Sequence, residues 1–218
     1  MTSEVEICNI ALSNIRAGSI NSLTESSLQA QQCKLKYALL RDRCLTTPAW
    51  VFNKKVRALS VLTTDVFTWS YAYQYPVDAL KIHRLVGAQE QLPHADASVI
   101  SRTVDRGLFG LNNLRLKIPY EVFNFDNVKT IGANDSDLRV IYSAKVTDPN
   151  LFSVDFIMAL SHLLSSELAI PLVGVENGRQ LRNDSLTLYT KYFNAAMADN
   201  ANDGYSEPVD SEFITIRS

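Results

Sequence analysis

Along the first fifty residues the apolar positions recur at helical spacing. Ser3 followed three residues later by Glu6 is a capping box, and it predicts a first helix running to about Ala17. Val5, Cys8, Leu12 and Ile15 form its stripe, and Gly18 supplies a left-handed terminator. Ser22 and Glu25 repeat the capping signature before a longer helix expected to reach about Leu45. Thr46, Thr47 and Pro48 stop it, because the residue before proline avoids helical angles. At about 100° per residue, Leu28, Leu35 and Leu39 line one side of this second helix, while Cys33, Tyr37, Leu40 and Cys44 line the other. Lys34, Lys36, Arg41 and Arg43 fill narrower polar strips. A surface helix of a monomer needs one apolar stripe. Two stripes predict a helix at the centre of a bundle or one shared with a neighbouring subunit.

From Trp50 to about Lys145 the period becomes alternating. Trp69, Tyr71, Tyr73 and Tyr75 alternate with Thr68, Ser70, Ala72 and Gln74, a strand with one aromatic face that Pro76 ends. Leu80 and Ile82 predict a second strand, Leu114, Leu116 and Ile118 another, and Leu138, Val140, Tyr142 and Ala144 the last, entered from a turn at Asn134–Asp135. The stretch from Ala88 to Ala97 reads as an exposed loop. Short strands with no helices between them predict antiparallel pairing. Asp148 and Pro149 then form a helix start. Phe152, Phe156, Leu160, Leu163, Leu164 and Leu168 cover a wide face before Pro171. Leu181, Leu188, Tyr189, Tyr192, Phe193 and Ala196 mark a fourth helix.

The expected fold class is α+β: a four-helix bundle-like domain, an inserted antiparallel β-sheet or sandwich domain, and an extended C-terminal arm. The corresponding segments are 1–48 and 147–200 for the two helical hairpins, 49–146 for the β domain and 201–218 for the arm. Residues 199–218 carry five acidic residues and one Arg, and end in the alternating patch Phe213, Ile214, Thr215, Ile216 and Arg217. An acidic linker with a β-prone tip fits an arm that adds a strand to a partner; a frayed terminus is the other reading.

Composition narrows the function classes. With 218 residues, 46% of them apolar, the chain is long enough to bury a real core. A formal net charge of −2 gives no global field toward nucleic acid or an anionic membrane. The polar, acidic start lacks the order of a secretory signal, and no apolar run is expected to reach the roughly 18–20 residues of a membrane span. The expectation is a protein folded in the cytoplasm, with no membrane partner. Cys8, Cys33 and Cys44 form no CxxC pair and fall on helical apolar stripes, so they read as small buried hydrophobes rather than zinc ligands.

Candidate chemistry is sparse. There is no phosphate-cradling glycine loop, no HExxH and no GxSxG. His83, His94 and His162 are far apart in sequence; His162 shares a helical face with Asp155 near Ser166, a pairing more often a polar contact than a catalytic base. Glu121 with Asp126, and Asp135 with Asp137, are the carboxylate pairs to weigh for glycoside cleavage, and both sit at turn-like strand ends. Lys54, Lys55 and Arg57, near Trp50 and Phe52, are the candidate contact to a DNA backbone, against the commoner reading of a solvated charged face. No residue is nominated as catalytic, cofactor-binding or metal-ligating. The chain is expected not to be an enzyme and to carry no cofactor.

The order of several short motifs is familiar. Pro48-Ala49-Trp50-Val51-Phe52 follows the first hairpin, and Trp69 to Ile82 reads W-x-Y-x-Y-x-x-P-x-D-x-L-x-I. Asn134, Leu138-Arg139-Val140-Ile141-Tyr142 and Thr147-Asp148-Pro149-Asn150-Leu151-Phe152 come next, and the third helix closes on Ser166-Glu167-Leu168-Ala169 and Pro171-Leu172. Over about residues 4 to 200 this resembles the tail tubular protein A family of short-tailed phages, the head-to-tail adaptor or gatekeeper; order and spacing carry the likeness. The resemblance implies a twelve-subunit ring between the portal protein and a tail nozzle of the tail tubular protein B type, with DNA passing through the lumen without sequence recognition. It implies a helical ring body and an outward β domain used in tail assembly, with tail fibres as a further partner. It also implies an arm that reaches into the portal, here residues 205–218, with Tyr205, Phe213, Ile214, Ile216 and Arg217 as docking residues. Leu28, Leu35 and Leu39 are then the candidate subunit interface. The expected location is the head–tail junction of the virion, assembled in the host cytoplasm. Two other classes stand beside this one: a tail-associated cell-wall hydrolase, and a DNA-binding module.

Overall fold

The computed structural model describes residues 2–66, 68–87 and 118–202. It is mixed helix and sheet: among the described residues there are four α-helices and two antiparallel sheets. Residues up to Phe52, together with those from Val146 on, form one compact unit, and Asn53–Lys145 form another.

In the helical unit, α1 spans Glu4–Asn14. Its capping box forms as expected: Ser3 Oγ accepts the Glu6 N–H at 3.1 Å, and Glu6 Oε2 accepts the Ser3 N–H at 2.8 Å. The helix ends earlier than its sequence suggests, because Arg16 rather than Gly18 takes the first left-handed position, at φ 57°. The Ala17 N–H reaches Leu12 O at 2.9 Å and the Arg16 N–H reaches Ser13 O at 3.0 Å, the two bonds of a Schellman closure. Helix α2 spans Leu28–Thr46 and is capped by Ser27, not Ser22. Glu25 instead accepts from Ser27 Oγ at 2.6 Å and the Asn21 N–H at 3.0 Å, tying the loop that precedes the helix.

Helix α3, Val154–Val173, is the hub that α1, α2 and α4 pack against. Asp148 and Pro149 open only a single 3-10 turn, Pro149–Leu151, and Ser153 caps the helix itself. Every residue from Ala159 to Ser166 is buried, as expected of a helix covered all round. Its serines satisfy themselves: Ser161, Ser165 and Ser166 donate to Met158 O, Ser161 O and Leu163 O at 2.7–2.8 Å. By length and hydropathy alone α3, 20 residues with a mean hydropathy of 1.7 over an 18-residue window, is long and apolar enough to cross a membrane, contrary to the expectation that no stretch was; 61% of that window is buried inside the protein.

Pro171 lies inside α3 instead of ending it, and the helix runs on to Gly174 at φ 92°. A proline leaves the carbonyl four residues earlier without its helical donor. That carbonyl belongs to Glu167, and Lys36 Nζ from α2 donates to it at 2.6 Å. Helix α4 follows directly, Val175–Asn202. It approaches α3 so closely that a Cβ on Gly178 would meet Ala169 O at 2.9 Å. Trp50 fixes the far end: its indole N–H donates to Cys44 O at 2.9 Å, and its ring meets Phe156 and Phe193 edge-on at 5.1 and 5.5 Å.

In the β unit, β1 (Lys54–Ala58), β7 (Leu138–Ala144) and β4 (Ala79–Gly87) make one sheet in that order. The other is β2 (Val61–Val66), β3 (Trp69–Gln74), β6 (Val128–Ala133) and β5 (Glu121–Phe125). Tyr73, Ile131 and Ala133 from the second sheet share one core with Ile82, Leu85, Leu138, Val140 and Tyr142 from the first. Asp126 and Asn127, at φ 48° and 61°, close the β5–β6 hairpin with the two left-handed residues that a tight turn of matching twist requires. Trp69 and Phe123 lie over Gly132, where a Cβ would come within 2.5–2.7 Å of their rings. Strands β1, β2, β5 and β6 go beyond the sequence reading; they are short, and each contains an exposed valine (Val56, Val61, Val122 and Val128) that blurs its alternation. The expected strand residues Leu114 and Leu116 and the expected loop from Ala88 to Ala97 lie outside the described residues.

The Lys36 bond makes a testable claim. Lys36→Met should cost about 1–3 kcal/mol by leaving the Glu167 carbonyl short of a donor. The loss should shrink in a Pro171→Ala background, which restores the backbone N–H. Equal losses in both backgrounds, measured by urea denaturation, would refute the coupling.

Candidate functional site

Helix α2 carries the strongest candidate, because its two apolar stripes have opposite fates. Ala30, Cys33, Tyr37, Cys44 and Leu45 are buried. Leu28, Leu35 and Leu39, within about 40° of arc on the other side, are 54%, 62% and 71% exposed. The rotation of the helix is held by two cations in its central turns, Arg41 and Lys36. Arg41 is buried; its Nε and Nη2 both donate to Asp42 Oδ1 at 2.9 Å, and Nη1 reaches Glu4 Oε1 at 3.3 Å on α1. Its guanidinium lies 5.8 Å from the Tyr37 ring centroid. Lys36, one turn earlier, is bound to α3 as described. With these contacts in place the leucines point to solvent.

A second apolar surface, which the sequence reading did not single out, is a shallow groove between α1 and α3. Ile10, Val154, Ile157 and Met158 supply its apolar lining, with Glu6, Asn9 and Asn14 among its polar members. Val154 is 76% exposed. The spacing of Val154, Ile157 and Met158 at i, i+3 and i+4 is a signal that was present in the sequence. It was hidden because the rest of α3 is apolar on every side.

The cysteines are buried, as their helical positions suggest. Cys8 hydrogen-bonds with Cys33, and that bond, followed by burial, pushes the Cys8 thiol up. Burial pushes Cys44 up to about 12, and likewise the Tyr189 hydroxyl beside it to about 12. Cys8 and Cys44, held protonated in this way, are poor nucleophiles and poor metal ligands, while the contact with Cys8 shifts the Cys33 thiol down. Among the described residues no group of three His, Cys, Asp or Glu is placed to hold a metal ion.

His162 is brought to Asn14, not to Asp155. Its Nδ1 lies 3.3 Å from Asn14 Nδ2, its ring stacks on Tyr192 at 5.4 Å, and burial holds it below the ordinary histidine value. His83 contacts Ser143 Oγ at 2.8 Å; burial first, then Lys81 and Lys54, lowers it. His94 lies outside the described residues. The carboxylate pairs have local roles: Glu121 accepts the Trp69 indole N–H at 3.0 Å, Asp126 forms the hairpin turn, the Asp135 carbonyl accepts from Tyr73 Oη at 2.6 Å, and Asp137 takes φ 57° in a turn.

Lys54, Lys55 and Arg57 all fall on β1, whose alternation separates them. Lys55 and Arg57 project to the side of Tyr142 and Val140, their partners in register, while Lys54 projects with Ser143 to the opposite side. Lys55 binds Asp78 at 2.8 Å, and Asp78 also accepts from Tyr142 Oη at 3.0 Å. The three cations therefore do not make one patch. Tyr205, Phe213, Ile214, Ile216 and Arg217 lie outside the described residues.

No protein-family model matches the chain, and no curated protein sequence matches it.

Two titrations check the electrostatics. Lys55 foremost, then Tyr142, holds the Asp78 carboxyl below its ordinary value, so its contribution to stability is present above about pH 4 and is lost as pH falls through the lowered value. In Lys55→Met, NMR should show the Asp78 titration moving up; no movement would refute the pairing. His162 resists protonation when folded, so the unfolded chain gains the proton first and stability falls as pH drops below about 6.5. Its imidazole resonance should titrate below that midpoint, and a normal or raised midpoint would contradict the burial.

Proposed function

We propose that the chain is a structural ring subunit of the head–tail junction of a short-tailed phage, set between the portal and the tail nozzle, and that it works by adhesion rather than catalysis. The observation that carries this reading is the leucine ridge of α2, exposed on a helix whose opposite side is core. Burying a leucine contributes about 1.5–3 kcal/mol, so three in a row on a rigid helix are costly to leave in water. They are well placed to bind another chain. The ordered motifs that resemble tail tubular protein A point to the same class.

In this reading the helical unit is the bundle-like body of the ring, with the leucine ridge as a contact surface, and the β unit is the inserted domain that meets other tail parts. The segment after α4, including residues 205–218, is the arm that docks on the portal in this reading; α4 itself takes up residues 201 and 202, which the sequence had assigned to the arm. An arm that orders only on docking loses conformational entropy, which weakens each contact. Repetition around a ring recovers the strength, since every further contact is made at high effective concentration. DNA passes through the lumen without base recognition, so no nucleic-acid site of fixed sequence is needed.

The ridge gives the test. Leu35→Glu together with Leu39→Glu should leave the helical circular dichroism intact and abolish incorporation into portal-bound particles seen by electron microscopy. Deleting residues 205–218 should leave a folded chain that no longer joins portal rings. Normal incorporation of either variant would overturn the corresponding contact, and failure of the wild-type chain to join portal rings would overturn the reading as a whole.

A further inference from the structure

We propose that Cys8 and Cys33 are a redox modification site: under oxidation they close into a disulfide that fastens α1 to α2, while Cys44 stays a thiol. This goes beyond the assembly reading and does not depend on it. Two polar ties set the helices antiparallel. Glu4, at the start of α1, meets Arg41 Nη1 at 3.3 Å, and the Ala17 carbonyl, just past the end of α1, accepts from Gln29 Nε2 at 3.3 Å. Cys8 and Cys33 both fall between those ties, each on the buried side of its own helix and each fully shielded from solvent. Their side chains are in hydrogen-bond contact, so sulfur faces sulfur across the helix pair. Distance excludes Cys44. It follows Cys33 by 11 positions on α2, about 16 Å along the axis, against the roughly 7 Å that a disulfide allows between Cα atoms. Its thiol meets the Tyr189 hydroxyl of α4 instead.

The contact also divides the roles. The Cys8 S–H donates to the Cys33 sulfur, which lowers the Cys33 thiol against the opposing effect of burial and raises Cys8. Cys33 is therefore the attacking thiolate and Cys8 the resolving thiol. With a small-molecule disulfide as oxidant, the Cys33 thiolate bonds to one of its sulfurs, and the broken S–S bond releases one small thiolate. Cys8 then gives its proton to that thiolate and attacks the Cys33 sulfur, expelling the second thiolate, which takes up the proton that Cys33 had lost to solvent. Two protein thiols are oxidised and one disulfide is reduced to two thiols. Because both cysteines are buried, the oxidant meets them only when α1, 11 residues long, lifts from α2. The new bond closes that opening and holds Glu4 on Arg41, one of the contacts that fix the setting of α2.

The experiment uses the wild-type full chain, so no substitution disturbs its folding. The chain is kept in native, mildly alkaline buffer with oxidised glutathione and then alkylated in denaturant. Alkylated thiols per chain should fall from three to one, and a tryptic digest should yield residues 1–16 joined to residues 17–34, with Cys44 alkylated. The thermal midpoint of the helical circular dichroism should rise by about 5–10 °C, the gain expected from closing a loop of this length, and fall back on reduction. Cys8→Ser, which keeps a donor beside Cys33, should take up one glutathione without that rise. Cys33→Ser should take up glutathione at Cys8 at least about tenfold more slowly, since the remaining thiol is the less ionised one. Three thiols surviving prolonged oxidation, glutathione left on Cys33 of the wild type, or a bridge that includes Cys44 would overturn the pairing. Equal rates in the two serine variants would overturn the assignment of the attacking sulfur.

Discussion

The rotational setting of α2 about its own axis is the constraint on which the rest depends. Tyr37, Cys33 and Cys44 occupy the core side, and Arg41 and Lys36 lock the helix to its neighbours, one through Glu4 of α1 and the other through the Glu167 carbonyl of α3. The leucines lie nearly opposite Tyr37 around the helix, so drawing them inward would take a rotation of a quarter turn or more and would expose a tyrosine whose hydroxyl is buried. The Lys36 contact is a clear case of one irregularity stabilised by another: a proline inside α3 removes a helical bond, and a cation from α2 takes the place of the missing donor. Removing the proline's effect and removing the lysine are therefore coupled events, felt at the same carbonyl.

Much of the helical unit was legible in the chain because short-range rules decide it. The Ser3–Glu6 box, the opposed stripes of α2 and the stop after Thr46 all depend on residues within a turn or two of one another. The errors share a cause. Gly18 and Ser22 are good terminators and caps by type, yet Arg16 and Ser27 hold those positions, since several residues nearby satisfied the same rule. Pro171 reads as a breaker because its tolerance depends on Lys36, 135 positions away in the chain. In the β unit, β3 and β7 were plain from their alternation. Strand β1 was not, because all five of its residues are exposed and no side of it is marked by burial.

The candidate surfaces divide along the same line. The leucine ridge was visible as a second stripe on one helix. The groove was not, because its walls come from α1 and α3, far apart in sequence, and because α3 has too many apolar residues for three more to stand out. The basic residues of β1 illustrate the opposite error: adjacent in sequence, they are parted by the pleat, and Lys55 is taken up by Asp78. Proximity along the chain is a fair guide to a helical face and a poor one on a strand.

Hydroxyl-radical footprinting of the wild-type chain, free and in particles formed with portal rings, tests the central claim most directly. The account predicts that oxidation of Leu28, Leu35 and Leu39 falls sharply in the particles, while buried Cys33 and Tyr37 stay protected in both states. Leucines oxidised equally in free and assembled protein would contradict it.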